Sequence, residues 1–212
     1  MSDSFQKDTA DAYDKVANHY AEKYQHELNY KAFDRKMLQL LAEKVGDAGQ
    51  ICDMGCGPGQ IAAYLHQQGV DVSGIDLSEQ MAIEAGRLNP EIIFQQGNML
   101  NLDKVADNTF AGIAAFYSII HVPYDRVVDA LKELRRVLKP GGHLLLAFHI
   151  GDEIRHSDSW FEQVVNLDFR FFEVAHMKDY LQTAGFTLAE VIEREAYPEE
   201  VQTRRGYLFA RG

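Results

Sequence analysis

The chain has 212 residues, of which 46% are hydrophobic and 25% are charged, and its formal net charge is −11 at pH 7. This length suits one α/β domain over residues 1–212 and leaves no room for a second large domain. The acidity argues against a nucleic-acid partner, because phosphate backbones are bound by basic surfaces. The first residues are polar and no apolar run approaches 18 residues, so we expect no membrane partner and a cytoplasmic location.

Residues 1–29 are predicted to form a polar, partly helical arm. Tyr13, Tyr20 and Tyr24 recur at helical spacing, which indicates a face that packs against another part of the chain. A helix is predicted next over residues 30–44, where apolar residues follow a 3.6-residue period.

A short strand and a glycine turn follow. The run Ile51–Met54 is apolar with one carboxylate, as expected of a buried parallel strand. Gly55, Gly57 and Gly59 then occupy every second position before Gln60 begins a second helical pattern. A strand that turns through glycines into a helix brings backbone N–H groups and the positive end of the helix dipole close to a ligand. The pattern therefore predicts a nucleotide-type binding turn.

Cys52 and Cys56 are the two cysteines of the chain, and they flank the start of this turn. Their spacing is not C-x-x-C, and no further Cys or His cluster lies near them in sequence. We expect both to be small packing residues, with no disulfide and no metal site.

The spacing of the glycines distinguishes among the ligands that the turn could bind. The dinucleotide fingerprint G-x-G-x-x-G requires glycine where Gln60 stands, and no glycine satisfies the phosphate-binding pattern G-x-x-x-x-G-K-[ST]. The stretch does fit D-x-G-x-G-x-G, with Asp53 two residues before the first glycine. A carboxylate there opposes a pyrophosphate and favours a cationic ligand. The stretch resembles motif I of the class I S-adenosylmethionine-dependent methyltransferases, whose cofactor carries an ammonium and a sulfonium.

Asp76 ends a predicted strand over residues 70–76. In an α/β nucleotide fold, an acid at this place accepts hydrogen bonds from the ribose hydroxyls. The position fits a dinucleotide as well as S-adenosylmethionine, so it identifies the fold better than the cofactor. By resemblance, Leu77 and Met81, at the start of a predicted helix over residues 79–88, match an apolar wall near the adenine, with ordinary core as the alternative for Met81.

A third strand is predicted over residues 92–94, and Gly97-Asn98 follows where the family usually has Gly-Asp. Asn can still accept one hydrogen bond from the adenine amine through its side-chain oxygen. The resemblance implies that Met99 presents its backbone to the adenine ring. It also implies that Tyr20 of the arm approaches the cofactor, although simple packing explains an aromatic stripe equally well.

Residues 110–120 form a continuous apolar run, which is typical of a central parallel strand covered on both faces. Ligands of open α/β sheets lie at the carboxyl ends of the strands, so Phe116, Tyr117 and His121 are predicted to point toward the site. Residues 134–149, LRRVLKPGGHLLLAFH, resemble the helix, turn and fifth strand of the same superfamily.

Residues 149–173 are rich in aromatic side chains and show the least regular pattern. An insertion here covers the acceptor pocket in many members of the family, so we expect a lid, with a local satellite core as the alternative. A helix over residues 175–183 and an antiparallel strand pair over 187–195 and 206–210 complete the predicted fold. That fold is α/β, three-layered and Rossmann-like, with a seven-stranded, mostly parallel sheet and an antiparallel C-terminal edge hairpin.

The residues expected at the site fall into three groups. The cofactor-binding residues are Tyr20, Asp53, Gly55, Cys56, Gly57, Asp76, Leu77, Met81, Gly97, Asn98, Met99 and Phe116. His121 is the first candidate base and His149 the second, because the pKa of histidine suits proton removal at physiological pH. His121 alternatively shapes the pocket wall or hydrogen-bonds the substrate. The candidate acceptor contacts are Tyr117, Trp160, Arg170 and Tyr197, and pairing with an acid is the competing interpretation for Arg170.

The sequence thus predicts transfer of a methyl group from S-adenosylmethionine to a small-molecule acceptor by in-line displacement, with S-adenosylhomocysteine (SAH) as the second product. In such a reaction the protein mainly aligns the reacting atoms and excludes water. Two alternatives stay open: a non-catalytic S-adenosylmethionine-binding sensor or partner subunit, and an NAD-dependent oxidoreductase. The acceptor and the oligomeric state are not predicted.

Overall fold

A computed structural model describes residues 4–212, which form a seven-stranded sheet, six α-helices and a separate two-stranded hairpin. The strands are β1 (Ile51–Met54), β2 (Val72–Asp76), β3 (Ile93–Gln96), β4 (Phe110–Phe116), β5 (Leu138–His149), β6 (Ile154–Trp160), β7 (Gln163–Arg170), β8 (Thr187–Arg194) and β9 (Arg205–Arg211). The helices are α1 (Ser4–Tyr24), α2 (Ala32–Val45), α3 (Gln60–Gln67), α4 (Glu79–Leu88), α5 (Val127–Val137) and α6 (Val174–Thr183). Among these described residues, no helix is long and apolar enough to cross a bilayer.

The large sheet has the strand order β3-β2-β1-β4-β5-β9-β8. The first five strands are parallel to one another, whereas β9 is antiparallel to both β5 and β8. The order of strands reverses beside β1, between β2 and β4, and ligands of open α/β sheets bind at such a reversal. The predicted fold class is confirmed, and within the C-terminal hairpin β9 is the inner strand and β8 the edge.

Helices cover both faces of this sheet. Successive residues of a strand point to opposite faces, and in the central strands both faces are buried. Ile113 and Leu144 pack with the apolar faces of α5 and α6, whereas Ala114 and Leu145 pack with those of α2 and α3. This arrangement gives the three predicted layers and fixes the carboxyl ends of β1, β2 and β4 side by side.

Strand β4 is shorter than its apolar run predicts, because it ends at Phe116. Tyr117 has a φ of 52°, and Ile119–His121 form a 3-10 turn. Ser118 Oγ donates a hydrogen bond to the Met54 carbonyl oxygen at 2.6 Å, which ties this turn to the end of β1. The chain therefore bends sharply at the sheet edge where the ligand site is expected.

Residues 154–170 form a two-stranded hairpin with one register shift between Ser157 and Ser159, so this stretch is more regular than its sequence pattern indicates. Strands β6 and β7 pair in antiparallel register through a two-residue turn at Phe161 and Glu162. Both turn residues have positive φ, 49° and 61°, as a type I′ turn requires. Because neither residue is Gly, Asn or Asp, no local sequence signal predicts the turn.

Helix α1 forms most of the predicted arm, of which residues 1–3 lie outside the described residues. It packs on β7 at one side and on α4 at the other. Its Lys15 Nζ donates to the Val164 carbonyl oxygen at 2.8 Å, and Asn166 Nδ2 donates to Asp8 Oδ2 at 2.9 Å. The helix therefore bridges the hairpin and the nucleotide-binding half of the sheet.

The glycine turn provides a stability test. Gly55 has a φ of 75°, and a Cβ atom there would lie 2.2 Å from the Ser118 Cβ. We expect Gly55→Ala to lower the free energy of unfolding by about 3 kcal/mol, since it adds a steric clash to the cost of a positive φ. Gly69→Ala is the matched control, because Gly69 has a φ of 81° with nothing within 4 Å of the added Cβ. Gly69→Ala should lower the free energy of unfolding, measured by urea denaturation, by about 1 kcal/mol. Equal losses of free energy in the two variants would show that the contact with Ser118 does not matter.

Candidate active site

The turn after β1 is held by the end of β2. The N–H groups of Gly55 and Cys56 both donate to the Ile75 carbonyl oxygen, at 2.7 and 3.1 Å. Gly57 N donates to Asp76 Oδ2 at 2.8 Å, and Gly59 N donates to the Cys56 carbonyl oxygen at 2.9 Å. The turn therefore offers no unbonded N–H between Gly55 and Gly59 to a pyrophosphate, which argues against the dinucleotide alternative.

A cavity of about 610 Å³ lies above this turn. The predicted cofactor residues that line it are Tyr20, Gly55, Cys56, Gly57, Asp76, Leu77, Gly97, Asn98, Met99 and Phe116. A Cβ atom on Gly57 would point toward Tyr20 and lie 3.8 Å from its ring. The missing side chain at Gly57 thus leaves room for a ligand between the turn and α1.

Asp76 lies at the carboxyl end of β2 and accepts two backbone hydrogen bonds, from Gly57 N and Ser78 N, both at 2.8 Å. A carboxylate has about four lone-pair sites, so two remain for a ligand diol. Burial raises the pKa of the Asp76 carboxyl to about 6. The residue therefore fits the ribose hydroxyls of a nucleoside.

Asp53 lies behind the turn, outside the lining of the cavity. Its Oδ2 atom accepts a hydrogen bond from Ala62 N in the first turn of α3 at 3.1 Å, and its side chain is 1% exposed. Burial raises the pKa of this carboxyl to about 8. Asp53 therefore holds α3 against β1, and its side chain is not part of the cavity lining, where a contact with a cationic ligand was expected.

The adenine end of the expected site is formed by Leu77, Asn98 and Met99. Asn98 Oδ1 accepts from Leu100 N at 2.9 Å, and Asn98 Nδ2 donates to Gln6 Oε1 of α1 at 3.1 Å. The side-chain oxygen keeps one lone pair for an adenine amine.

Met81 does not line the cavity with this wall, so ordinary core, the alternative for this residue, is the correct interpretation. It is buried and packs with Val16 and Ala17 beneath α1. The helical position was identified correctly, but α1 covers that face of α4.

Three polar residues that the sequence did not single out as ligand contacts line the cavity beside α3. Gln60 Nε2 donates to Glu27 Oε1 at 2.9 Å, and Lys31 Nζ donates to Glu27 Oε2 at 2.5 Å. Gln60 Oε1 is buried and has no hydrogen-bond partner in the described part of the chain. A buried acceptor without a partner costs free energy unless a ligand supplies a donor. Gln60 was noted as the residue that breaks the dinucleotide fingerprint, and no local pattern links it to residues 33 positions away.

Helix α1 is fastened to α4 by Asp14. Its Oδ1 atom accepts from Ser78 Oγ and from Gln80 N, the latter at 3.0 Å. Ser78 is also the N-cap of α4, as predicted, and accepts from Met81 N at 3.0 Å. These bonds keep α1 over the turn.

The other half of the cavity is walled mainly by aromatic rings. The aromatic residues that line the cavity are Phe5, Tyr13, Tyr20, Tyr24, Tyr30, Phe116, Tyr117, Trp160, Phe169 and Phe171. Trp160 of the hairpin meets Tyr13 and Tyr20 of α1 edge-on, with ring centroids 5.4 Å apart in both pairs. Two of the candidate acceptor contacts, Tyr117 and Trp160, are therefore at the cavity.

His121 is buried between α1 and β7. Its Nδ1 atom lies 2.9 Å from the Asp168 carbonyl oxygen, and its Nε2 atom lies 2.8 Å from the Tyr13 hydroxyl. Burial lowers the pKa of His121 to about 4. The imidazole is therefore neutral at physiological pH, and its second nitrogen is already engaged by Tyr13.

His149 also lines the cavity and is neutral. Its Nδ1 atom lies 2.8 Å from Thr203 Oγ1, and its ring stacks on Phe171 at 5.1 Å between centroids. Burial first, and then the positive charges of Arg205 and Arg155, lower the pKa of His149 to about 3.

Arg170 and Tyr197 lie outside the cavity lining, contrary to their prediction as acceptor contacts. Arg170 donates to Asp168 Oδ2 at 2.8 Å and to the His121 carbonyl oxygen at 3.1 Å, so pairing with an acid was the correct interpretation. The Tyr197 hydroxyl accepts from Phe33 N at 3.2 Å. Both side chains support neighbouring structure.

Asp76 should control affinity for SAH and its dependence on pH. Ribose hydroxyls bind the carboxylate form, so they lower the pKa of Asp76 from the value of about 6 in the free protein. Affinity measured by calorimetry should therefore be constant above about pH 7 and fall as the pH drops through about 6. Asp76→Asn should weaken binding at pH 7.5 by about 30-fold and remove this dependence. The exposed Asp47→Asn is the control, and a variant at Asp76 that keeps wild-type affinity would rule out the ribose contact.

The fastening of α1 can be tested by the rate at which SAH dissociates. Asp14→Ala removes the two bonds to α4, and we expect dissociation in stopped-flow experiments to be about fivefold faster or more. Asp11→Ala is the matched control, because Asp11 pairs with Lys7 on the same helix. Identical rates in the two variants would show that these bonds do not retain the ligand.

Comparisons with known proteins agree with this geometry. Residues 51–142 match a family model described as a methyltransferase domain. The chain is 33% identical over 140 residues to a malonyl-(acyl-carrier protein) O-methyltransferase of Enterobacter lignolyticus, covering 66% of this chain and 51% of that protein. It is 37% identical over 114 residues to a ubiquinone/menaquinone biosynthesis C-methyltransferase of Desulfotalea psychrophila, covering 51% of this chain and 46% of that protein.

The chain thus spans about half the length of these curated relatives. Its fold matches that of the DhpI–SAH complex with a TM-score of 0.76 at 20% identity, covering 100% of this chain and 98% of that one. The matched residues contain the glycine turn, Asp76 and the central strands, which are the features that carried the resemblance. Residues 51–142 are thus similar in sequence to methyltransferase domains, and the fold of the whole chain is that of the DhpI–SAH complex.

Proposed function

We propose that this protein transfers the methyl group of S-adenosylmethionine to a small aromatic acceptor. The observation that carries the proposal is a single cavity that joins the nucleoside-binding end at Asp76 to an aromatic chamber at Trp160. Both ligands can therefore meet inside one cavity. One named relative acts in quinone biosynthesis, which supports a small acceptor, whereas the other acts on a malonyl group held by an acyl-carrier protein.

The residues present fit the cofactor along its whole length. Asp76 would accept from the ribose hydroxyls and Asn98 from the adenine amine. The unpartnered Gln60 Oε1 and the Glu27 carboxylate would accept from the ammonium group, and Lys31 would face the carboxylate. When bound, the cofactor supplies the electrophilic methyl group. The role of this chain is to hold both reactants in line and to keep water out.

Helix α1 and the β6–β7 hairpin provide the cover of the chamber, and we assign the hairpin the role of a lid. Trp160 and Phe169 approach from the hairpin, and Tyr13 and Tyr20 approach from α1. Aromatic walls of this kind bury a planar apolar ring well and exclude water from it. A sulfonium also loses its charge during transfer, which a dry, apolar chamber favours.

A base is required where the acceptor must lose a proton to react at neutral pH. His121 is better placed than His149 to receive the acceptor proton, because His121 lies in the chamber beside α1 and the hairpin. His149 is surrounded by Arg205, Arg155 and Lys31, all of which oppose its protonation. We therefore assign proton removal to the side of the chamber that holds His121.

The test is to incubate the purified protein with methyl-deuterated S-adenosylmethionine and a small-molecule cell extract. Mass spectrometry should then find a new product that carries three deuterium atoms. Asp76→Ala should form less of it at limiting cofactor concentration, because the ribose contact is lost. Binding of SAH is measured by calorimetry on the same preparation.

Two results would contradict the proposal. Binding of SAH without any labelled product favours a non-catalytic sensor or partner subunit. A labelled product of macromolecular size would replace the small acceptor with a larger one.

A further inference from the structure

The side chains of Tyr13 and His121 form a hydrogen-bonded pair at the aromatic chamber, although 108 residues separate them in sequence. Tyr13 comes from α1, and His121 comes from the 3-10 turn after β4. Their rings meet edge-on with centroids 5.3 Å apart, and both side chains line the cavity. No part of the cofactor site described above requires this pair.

The direction of the hydrogen bonds follows from the chemistry of the partners. The Asp168 carbonyl oxygen can only accept, so the His121 Nδ1 atom carries the proton in the bond of 2.9 Å. In the neutral imidazole the Nε2 atom is then an acceptor, and Tyr13 must donate its hydroxyl proton to it. The lone pairs of the Tyr13 oxygen remain for a donor in the chamber.

Charged groups around His121 come mainly from β7. The Asp168 carboxylate favours the protonated imidazole, and it is shared between Arg170 Nη2 and His156 Nδ1, each at 2.8 Å. Arg170 disfavours the protonated imidazole, and burial disfavours it most. Burial also raises the pKa of Tyr13 above its ordinary value, so its phenol is protonated at rest. The resting pair is therefore neutral.

From this geometry, and resting on the methyl transfer proposed above, we infer that Tyr13 is a catalytic residue that relays the proton of a phenolic acceptor to His121. The acceptor hydroxyl donates a hydrogen bond to the Tyr13 oxygen, while Tyr13 donates to His121 Nε2. His121 acts through Tyr13 and does not contact the acceptor.

The step is balanced in atoms and charge. The acceptor oxygen forms a bond to the methyl carbon as the methyl–sulfur bond breaks and its electron pair stays on sulfur. The acceptor proton moves to the Tyr13 oxygen, and the Tyr13 proton moves to His121 Nε2. A neutral phenol, a sulfonium and a neutral imidazole give an aryl methyl ether, a thioether and an imidazolium.

This exchange of charge explains how a buried imidazole can serve as the final proton acceptor. The sulfonium opposes protonation of His121 before transfer, and that charge has vanished after transfer. The chamber thus holds one positive charge throughout the step. The proton on His121 leaves once the products are released.

A phenol suits the relay better than an aliphatic alcohol or a thiol. Its acidity is close to that of tyrosine, so a proton moves between the two oxygens with little change in free energy. A phenol ring also fits the aromatic walls supplied by Trp160 and Phe169. The nucleophilic atom is therefore assigned as an aromatic hydroxyl oxygen.

The first test needs no acceptor. The ¹⁵N NMR shifts of His121 should show the proton on Nδ1, and Tyr13→Phe should move the Nε2 signal because its hydrogen bond is lost. The imidazole should also titrate about one pH unit higher in the SAH complex than in the S-adenosylmethionine complex, because the sulfonium charge is absent. A proton on Nε2, or the same titration in both complexes, would overturn the relay.

The second test uses the deuterium-transfer assay with cell extract. Tyr13→Phe and His121→Gln should each slow the formation of labelled product about 100-fold, and the double variant should be no slower than either, because the two residues act as one unit. The rate of Tyr13→Phe should recover about tenfold per pH unit above pH 7, since the acceptor then ionises on its own. Tyr64→Phe, which changes a tyrosine of α3 outside the cavity lining, is the matched control.

The outcomes separate the relay from the proposed function. Affinity for SAH should stay within about threefold of wild type in all variants, so that a lost rate reports the relay and not a damaged fold. If wild type and Tyr13→Phe form labelled product at equal rates, the relay is overturned but the proposed methyl transfer is not. A label on carbon, nitrogen or sulfur has the same consequence. A wild-type protein that binds SAH but forms no labelled product overturns both.

Discussion

The structure depends on the hydrogen bonds that join the end of β2 to the glycine turn after β1. One carbonyl oxygen, that of Ile75, accepts from two successive N–H groups, and the next residue, Asp76, accepts from the third through its side chain. The turn is therefore shaped by its neighbouring strand and needs no bound anion to hold it open. The same bonds use up the donors that a pyrophosphate would require, while the acidic side chain stays free to receive ligand hydroxyls. These few hydrogen bonds thus favour a ligand that donates hydroxyl groups over a ligand that carries a pyrophosphate.

Electrostatics strengthens this selection. Two carboxyl groups lie at the turn, Asp76 in the cavity wall and Asp53 behind it, and burial raises the pKa of both. A buried carboxylate is costly unless an opposite charge or a donor compensates it. A ligand that carries an ammonium and a sulfonium provides that compensation, whereas an anionic ligand would increase the cost. The neutral histidines at the other end of the cavity, His121 and His149, leave the cationic ligand without a competing positive imidazole.

The sequence predicted the parts of the molecule whose signals are local. The strand Ile51–Met54 and the glycine turn follow from a few adjacent residues, and the helix that Ser78 caps was predicted with its observed bounds. The pairing of Tyr13 with His121 was not predicted, because nothing in either segment indicates a partner more than 100 residues away. The position of Met81 was predicted wrongly for a related reason. Helical spacing shows that one face is apolar, but it does not show which neighbouring element covers that face.

Helix α1 contacts both halves of the cavity. Because the helix is stiff, these contacts affect how fast ligands exchange. The helix has 21 residues and is therefore about 30 Å long. Gln6 accepts a hydrogen bond from Asn98, and further along the same helix Tyr13 reaches the aromatic chamber and Lys15 holds the hairpin. A rigid rod held at several points moves as one body, so displacing it for one ligand also uncovers the place of the other. On the proposed function, cofactor exchange and acceptor exchange would therefore share one gate, and the movement of α1 would set a common limit on how often the site can be refilled.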